Sequence, residues 1–209
     1  MKHRSKNMKV AIIGASGMAG SRILNELVSR GHQVTAIARN TNKIEKNDAV
    51  TTKAVDIKDQ EVLTEALKGH DAVISAVRFA DLDGLALIDA VRNSGVKRYL
   101  VVGGAGSLLL PDQTRLIDSP DFPQEYRSEA EPGCVFLDQL KEVKDLDWTF
   151  VSPSALFQPG ERTGKFRIAK DTLITNEQGS HISAEDYAIA LVDALEKNQY
   201  IRERFTVGY

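Results

Sequence analysis

The sequence has one cysteine, four histidines and no long apolar run. A lone cysteine cannot close an internal disulfide, which fits a reducing, cytoplasmic setting. Cys134 lies in EPGCVFLDQL, beside an acidic residue and with no histidine near it. A reactive thiol needs positive neighbours, so Cys134 reads as a packed side chain. His3, His32, His70 and His181 are too far apart for metal-ligand spacing, and no metal site is expected. No stretch approaches the ~18 apolar residues of a membrane helix. The opening MKHRSKN is basic and polar, but the apolar run behind it is cut short at Gly14, so a signal peptide is not expected. Residues 1–7 read as a disordered tail, with Met8 a second candidate start. Lys and Arg number 27 against 29 Asp and Glu, for a net charge of −2. That balance offers no basic surface to nucleic acid or to an anionic membrane. Internal repeats and low-complexity tracts are also lacking.

What is present is an alternating chain. Apolar residues make up 42% of the 209 and charged residues 27%, the balance of one soluble domain with a sizeable core. Strands are expected at Val10–Ile13, Gln33–Ala38, Thr52–Val55, Ala72–Ala76 and Tyr99–Val102. Helices are expected from Met18 to Gly31, over Gln60–Leu67 and over Leu82–Val91, each with apolar residues at helical spacing. Short connections between alternating strands and helices imply a parallel, doubly wound sheet flanked by helices, an α/β Rossmann-like fold. After Gly106 the rhythm changes. Residues 111–133 hold four prolines among many acids and read as a loop or lid with short helical turns. A helix over Phe136–Val143 and a strand over Trp148–Val151 follow. Residues 155–180 read as irregular, with strand-like pieces at Lys165–Ile168 and Thr172–Ile174. Ser183–Leu195 is expected helical, opened by a capping-box variant of Ser183 and Asp186, and Phe205–Val207 is a last strand. Residues 8–209 are thus one domain with a small substrate-side extension toward the C-terminus.

The first strand runs into Gly14, Gly17 and Gly20, three residues apart where the strand meets a helix. Gly14 suits a tight turn, Gly17 a close approach to a pyrophosphate, and Gly20 close helix–sheet packing. The helix start at Met18 and Ala19 offers N–H groups and partial positive charge, and Ser16 adds a hydroxyl donor. A glycine triplet alone is weak evidence. Its place between strand and helix, at the head of an alternating chain, is the context that points to a dinucleotide.

The spacing G-x-x-G-x-x-G resembles that of the short-chain dehydrogenase/reductase superfamily in its extended and atypical branches. ARN at 38–40, VDI at 55–57, SAVR at 75–78, RYLVVGGAGSL at 98–108, WTFVSPSALFQPGERTGKFR at 148–167 and ISAEDYAIALVDALE at 182–196 extend the likeness over nearly the whole chain from Met8. Together they resemble the NAD(P)H-binding, NmrA-like group that includes biliverdin-IXβ reductase/flavin reductase. The resemblance implies that Asp56 lies near the adenine amino group, Ile57 against the ring, and Ala76 and Val77 along the ribose, with Arg78 in reach of a phosphate. Read from its surroundings alone, Asp56 is equally well a loop cap.

An acid at the end of the second strand would hold a ribose 2′-hydroxyl and select NAD(H). Here that strand ends Ala38-Arg39-Asn40. A guanidinium in this place can pair with a 2′-phosphate and stack on adenine, so NADP(H) is preferred, with NAD(H) open and a solvated Arg39 the plain alternative.

The superfamily's Tyr-x-x-x-Lys dyad is missing. Four places beyond Tyr99, Tyr126, Tyr187 and Tyr200 stand Gly103, Ala130, Leu191 and Arg204, and Tyr209 ends the chain. Reduction of an isolated ketone calls for a positioned acid. A conjugated acceptor such as a flavin, quinone or tetrapyrrole spreads the incoming charge, and solvent can protonate it. The expected activity is therefore NADP(H)-dependent hydride transfer to a conjugated small molecule. The alternatives are an NmrA-like NADP(H)-binding redox sensor without turnover and, further off, a non-redox isomerase or epimerase. The small residues Gly103 to Gly106 at the end of the fifth strand leave room for a nicotinamide and a flat acceptor. Gly104 and Pro153 are assigned to the cofactor, and Gly106, Ser107, Phe122 and Phe157 to the acceptor. Ser107, the only hydroxyl of its turn, is a candidate catalytic group or simply a turn hydrogen bond. A monomer or weak homodimer is expected.

Overall fold

The computed structural model describes residues 7–209. The tail expected over residues 1–7 lies, but for Asn7, outside the described residues. The central sheet has eight strands in the order β3-β2-β1-β4-β5-β6-β10-β8. They are β1 (Lys9–Ile13), β2 (Gln33–Ala38), β3 (Val50–Ala54), β4 (Ala72–Ser75), β5 (Arg98–Val102), β6 (Asp147–Ser152), β8 (Arg167–Ala169) and β10 (Glu203–Gly208). All neighbours are parallel except β8, which runs antiparallel along β10. A second, two-stranded parallel sheet joins β7 (Leu156–Gln158) to β9 (His181–Ser183).

Strand alternation divides the core between the faces. Val10 and Ile12 of β1, with Ile74 and Leu100, pack against Ile23 and Leu27 of α1 (Met18–Ser29) and Tyr187 and Leu191 of α5 (Ala184–Glu196). Ala11 and Ile13, with Val73 and Val101, pack on the other side. They meet Leu63 of α2 (Gln60–Leu67), Ile88 of α3 (Gly84–Ser94) and Leu137 of α4 (Arg127–Lys141). Each face is a continuous apolar layer, which is why the strands read as near-continuous hydrophobic runs. The exception is β3, exposed over Thr51–Ala54 at the sheet edge.

The doubly wound α/β architecture is as expected, and most elements fall within a few residues of their expected bounds. Helix α4 does not. It begins at Arg127, inside the segment expected to be loop, and carries Pro132 within it. A proline in a helix removes one N–H bond and costs ~3 kcal/mol. Burial of Cys134, Phe136, Leu137 and Leu140 just beyond it offsets that cost. Two contacts hold the new first turn. Both carboxylate oxygens of Glu129 accept from the backbone, from Phe79 N at 2.7 Å and Ala80 N at 2.9 Å. Arg127 Nη2 donates to Ile117 O at 2.8 Å. The rest of the loop, with 3-10 turns at Leu116–Asp118 and Gln124–Tyr126, keeps the expected character. Thr172–Ile174 is not a strand: it makes a single bridge to Leu109. Among the described residues no helix is long and apolar enough to cross a membrane.

The capping reading at Ser183 holds in one direction. Its hydroxyl accepts from Asp186 N at 3.0 Å. The Asp186 carboxylate instead holds the loop before β8, accepting from Thr163 N and Gly164 N, both at 2.9 Å, and from Tyr209 Oη at 2.5 Å.

Candidate functional site

Strand order reverses direction between β1 and β4, and a crevice opens beyond their carboxyl ends, where ligands of such sheets bind. The turn after β1 forms one wall. Gly14 sits at φ +83°, and a Cβ there would lie 2.4 Å from Ala76 O. Its N–H and that of Ala15 donate to Ile37 O at 2.9 and 3.1 Å, which ties the turn to β2. A Cβ on Gly20 would lie 2.1 Å from Gly14 O, so the close start of α1 against the turn depends on that glycine as well. Gly17 differs. Its backbone is extended, at φ −76° and ψ 176°, and a Cβ would meet only Gly14 O at 3.5 Å. Neither backbone strain nor packing demands glycine at position 17. A ligand lying across it would, because a side chain there would fill the space the ligand needs. Gly17, which precedes the first turn of α1, supplies no side-chain cap, and that turn contains no acid. Its N–H groups and partial positive charge are therefore left for an anion.

Two cavities meet at this turn. The first, of about 460 Å³, is lined by Gly14, Ser16, Gly17, Arg39, Asp56, Ile57, Ala76, Val77 and Arg78, together with Lys58, Asp81 and Leu82. The second, of about 830 Å³, is lined by Gly17, Met18, Ala19, Ala76, Val77, Arg78, Gly104, Gly106, Phe122, Pro153 and Phe157. Leu116, Asp121, Tyr126 and Glu129 also face it. The cavities share Gly17, Ala76, Val77 and Arg78, so they form one continuous cleft.

The first cavity is the cationic one. Arg39, Lys58 and Arg78 are exposed and make no ion pair among the described residues. Asp56 lines it while its Oδ1 accepts from Lys58 N at 3.0 Å, so a loop cap and a position facing the cavity coexist in one residue. Asn40 lines neither cavity; its Oδ1 accepts from Asn42 N at 2.9 Å. Gly20 is likewise a packing residue rather than a lining one.

The second cavity is mostly apolar. A Cβ on Gly103 would run into the Phe150 ring at 2.2 Å, whereas one on Gly104 would meet nothing within 4 Å. Gly104, like Gly17, is thus small without a packing reason and lies open to the cavity. Phe122 stands below the Arg127 guanidinium, 5.6 Å from its ring centre, and Phe157 packs on Tyr187 at 4.6 Å between ring centres. Ser107 does not line the cavity. Its hydroxyl accepts from Arg204 Nη1 at 2.8 Å, across from the last strand.

Of the five tyrosines only Tyr126, 60% exposed, faces the cleft. Burial pushes the phenols of Tyr99 and Tyr187 well up, and each is engaged, with Ser75 Oγ and Val151 O respectively, both at 2.7 Å. Burial, with the Asp186 carboxylate beside it, also raises Tyr209. Burial likewise raises the Cys134 thiol, which keeps it protonated and unreactive.

Sequence reasoning missed Lys58, Asp81 and Leu82 in the first cavity, and Leu116, Asp121 and Glu129 in the second. Lys58 had a usable signal, standing two residues after Asp56 at the same strand end. Glu129 had none, because its loop was not expected to start a helix.

The comparisons agree with this geometry. The YwnB protein of Bacillus subtilis is 44% identical over 212 residues, covering 96% of this chain and 98% of its own length. A crystal structure from Bacteroides thetaiotaomicron, described as a proposed epimerase, superposes with a TM-score of 0.93 at 43% identity, covering 98% of both chains. One from Streptococcus pneumoniae, described as a proposed NADH-flavin reductase, gives a TM-score of 0.84 at 42% identity, covering 97% of this chain and 99% of that one. A family model described as NAD(P)H-binding matches residues 14–198, from the first glycine of the turn to just past α5. With its glycine turn, its continuous cleft and that match, the chain belongs to the NAD(P)H-binding family.

Proposed function

We propose that this protein is an NADP(H)-dependent oxidoreductase that passes hydride to a flat, conjugated small molecule such as a quinone or flavin. The observation that carries the reading is the shared wall of Gly17, Ala76, Val77 and Arg78 between a cationic and an apolar cavity. A dinucleotide laid along the first, with its pyrophosphate at Gly17, brings its far end to the second. When bound, it supplies a hydride, that is two electrons and one proton, and water supplies the proton that completes the reduced acceptor.

The chain's own residues bind and align. Gly17 and the N–H groups of the first turn of α1 receive the pyrophosphate. Arg39, with Lys58 of the same cavity, would receive the 2′-phosphate, which is the basis for preferring NADP(H). Gly104 and Pro153 flank the nicotinamide, and Phe122 and Phe157 wall the acceptor. No residue is assigned as a proton donor: the one tyrosine in the cleft is exposed, and Ser107 is turned toward Arg204. A conjugated acceptor does not need such a donor, since alignment supplies most of the rate. A cytoplasmic location and a monomeric or weakly dimeric state belong to the same proposal.

The test is NADPH oxidation against a panel of quinones and flavins, alongside direct cofactor binding. Turnover on the panel is the expected result. Tight NADPH binding with no turnover on any member would replace this reading with that of a redox sensor. Interconversion of a sugar or hydroxy-acid epimer without net NADPH loss would replace it with epimerase chemistry.

A further inference from the structure

The charges around the acceptor cavity are unevenly placed. Its lining contains three charged side chains, Arg78, Asp121 and Glu129. Arg78 stands on the wall shared with the cationic cavity, where on the hydride-transfer reading the cofactor phosphates would compete for it. Both remaining charges are negative. Glu129 is fixed, its two oxygens held by Phe79 N and Ala80 N. The Asp121 carboxylate is exposed and makes no ion pair among the described residues. The cations of the surrounding loop do not offset them. Arg127 is paired with Glu131 and bound to Ile117 O, Arg115 is paired with Asp118, and Arg204 is buried against Asp171. None of these three lines the cavity.

We propose that the acceptor is an uncharged flat ring system, and that Asp121 is a specificity-determining residue that turns away acceptors bearing phosphate or carboxylate groups. The proposal rests on the hydride-transfer reading above and narrows it. An anion entering here loses water on an apolar surface and faces a carboxylate at the rim, while Arg78 lies on the wall shared with the first cavity and Arg127, stacked over Phe122, is already paired with Glu131. A neutral quinone or an unphosphorylated flavin carries no charge to desolvate and meets no repulsion from the carboxylate. Across a cleft open to solvent, one carboxylate opposite a phosphate is worth a factor of about 3 to 10, and salt weakens it.

Riboflavin and riboflavin 5′-phosphate present the same ring and differ by one phosphate, so their ratio isolates charge. At low ionic strength, kcat/KM with NADPH is expected to favour riboflavin about 3- to 10-fold, with the gap closing as salt is added. Asp121→Lys is expected to move the ratio toward the phosphate by about tenfold, and Asp121→Asn part of the way. General damage to the protein cancels in the ratio. The same ratio is read without turnover from quenching of flavin fluorescence on protein saturated with NADP+. Equal preference for the two flavins in the wild type, or a ratio unmoved by Asp121→Lys, would overturn the proposal. Selective binding with no turnover on flavins or quinones would keep Asp121 as the residue that sorts ligands by charge and remove the reductase reading instead. Failure to bind either flavin, together with no NADPH oxidation on any quinone, would remove both.

Discussion

Arg204 on β10 donates from Nη1 to the Ser107 hydroxyl at 2.8 Å and to Ser152 Oγ at 3.2 Å, joining the turn after β5 to the end of β6, from which the next turn leaves. Nη2 also reaches Ser107 O at 3.3 Å, and Nε reaches Asp171 at 3.0 Å. Those two turns present Gly104, Gly106 and Pro153 to the acceptor cavity, so one buried guanidinium sets the spacing of its floor. Arg204→Met keeps much of the apolar stem and strands the polar groups. A loss of about 2–4 kcal/mol in urea unfolding is expected. In the folded fraction the acceptor KM should rise more than the NADPH KM. An unchanged acceptor KM would show that the floor holds its shape unaided.

The three glycines of the turn should separate by experiment. Gly14→Ala meets both a positive φ and a backbone oxygen 2.4 Å away, so it should lower stability and binding together. Gly17→Val keeps an extended backbone that a β-branched residue adopts readily. It should leave the thermal midpoint nearly unchanged while weakening NADPH more than tenfold, or about 1.4 kcal/mol, by fluorescence titration. Full NADPH affinity in Gly17→Val would place the pyrophosphate elsewhere.

Cofactor choice should depend on two cations. Arg39→Ala and Lys58→Ala are each expected to weaken NADPH more than NADH. A lost charge-assisted contact is worth ~1.5–3 kcal/mol, or roughly ten- to a hundredfold. Arg39 is expected to carry the larger share, since its planar group can also stack on adenine. Equal losses for the two cofactors would mean that neither cation reads the 2′-phosphate.

Tyr126 is the one phenol in a position to protonate an acceptor. Tyr126→Phe should nevertheless lower turnover on menadione by far less than the ~10²–10⁴-fold that marks loss of a general acid. Cyclohexanone should be a poor substrate for wild type and variant alike. A thousandfold loss in the variant, or rapid cyclohexanone reduction, would identify a proton donor and a different substrate class.

Stability should fall in mild acid through His70. The ring is buried between Leu67 O, 2.8 Å from Nδ1, and Thr35 Oγ1, 2.7 Å from Nε2. Desolvation, with Lys9 and Lys53 nearby, lowers its pKa below the ordinary 6.5. The unfolded chain therefore binds the proton more readily, and stability complete above pH 6.5 is lost as pH falls through the folded value. Urea midpoints measured from pH 7 to pH 5 should drop more steeply in wild type than in His70→Gln. Parallel slopes would assign the acid sensitivity to other groups.

The doubly wound core was legible because burial on both faces writes itself as short apolar runs, and the glycine turn lies within one contiguous stretch. The start of α4 was not. Pro132 and the acids around it carry a loop's composition, and what makes them helical is Glu129 capturing backbone N–H groups 50 and 49 residues away. Ser107 misled in the same way, since its partner Arg204 lies 97 residues off. The start of β3 at Val50 was missed because an exposed edge strand carries little hydrophobic pattern. In the cleft, residues at strand ends could be located from sequence. The acids of the acceptor rim come from the proline-rich loop and α4, whose path local pattern does not encode.

The shared wall of Gly17, Ala76, Val77 and Arg78 has a kinetic meaning. A molecule seated in the first cavity also becomes part of the boundary of the second. Under the hydride-transfer proposal, the acceptor would meet a composite surface, one side polypeptide and the other dinucleotide. On that proposal the cofactor would enter first and the acceptor second, because the seated cofactor completes the second cavity.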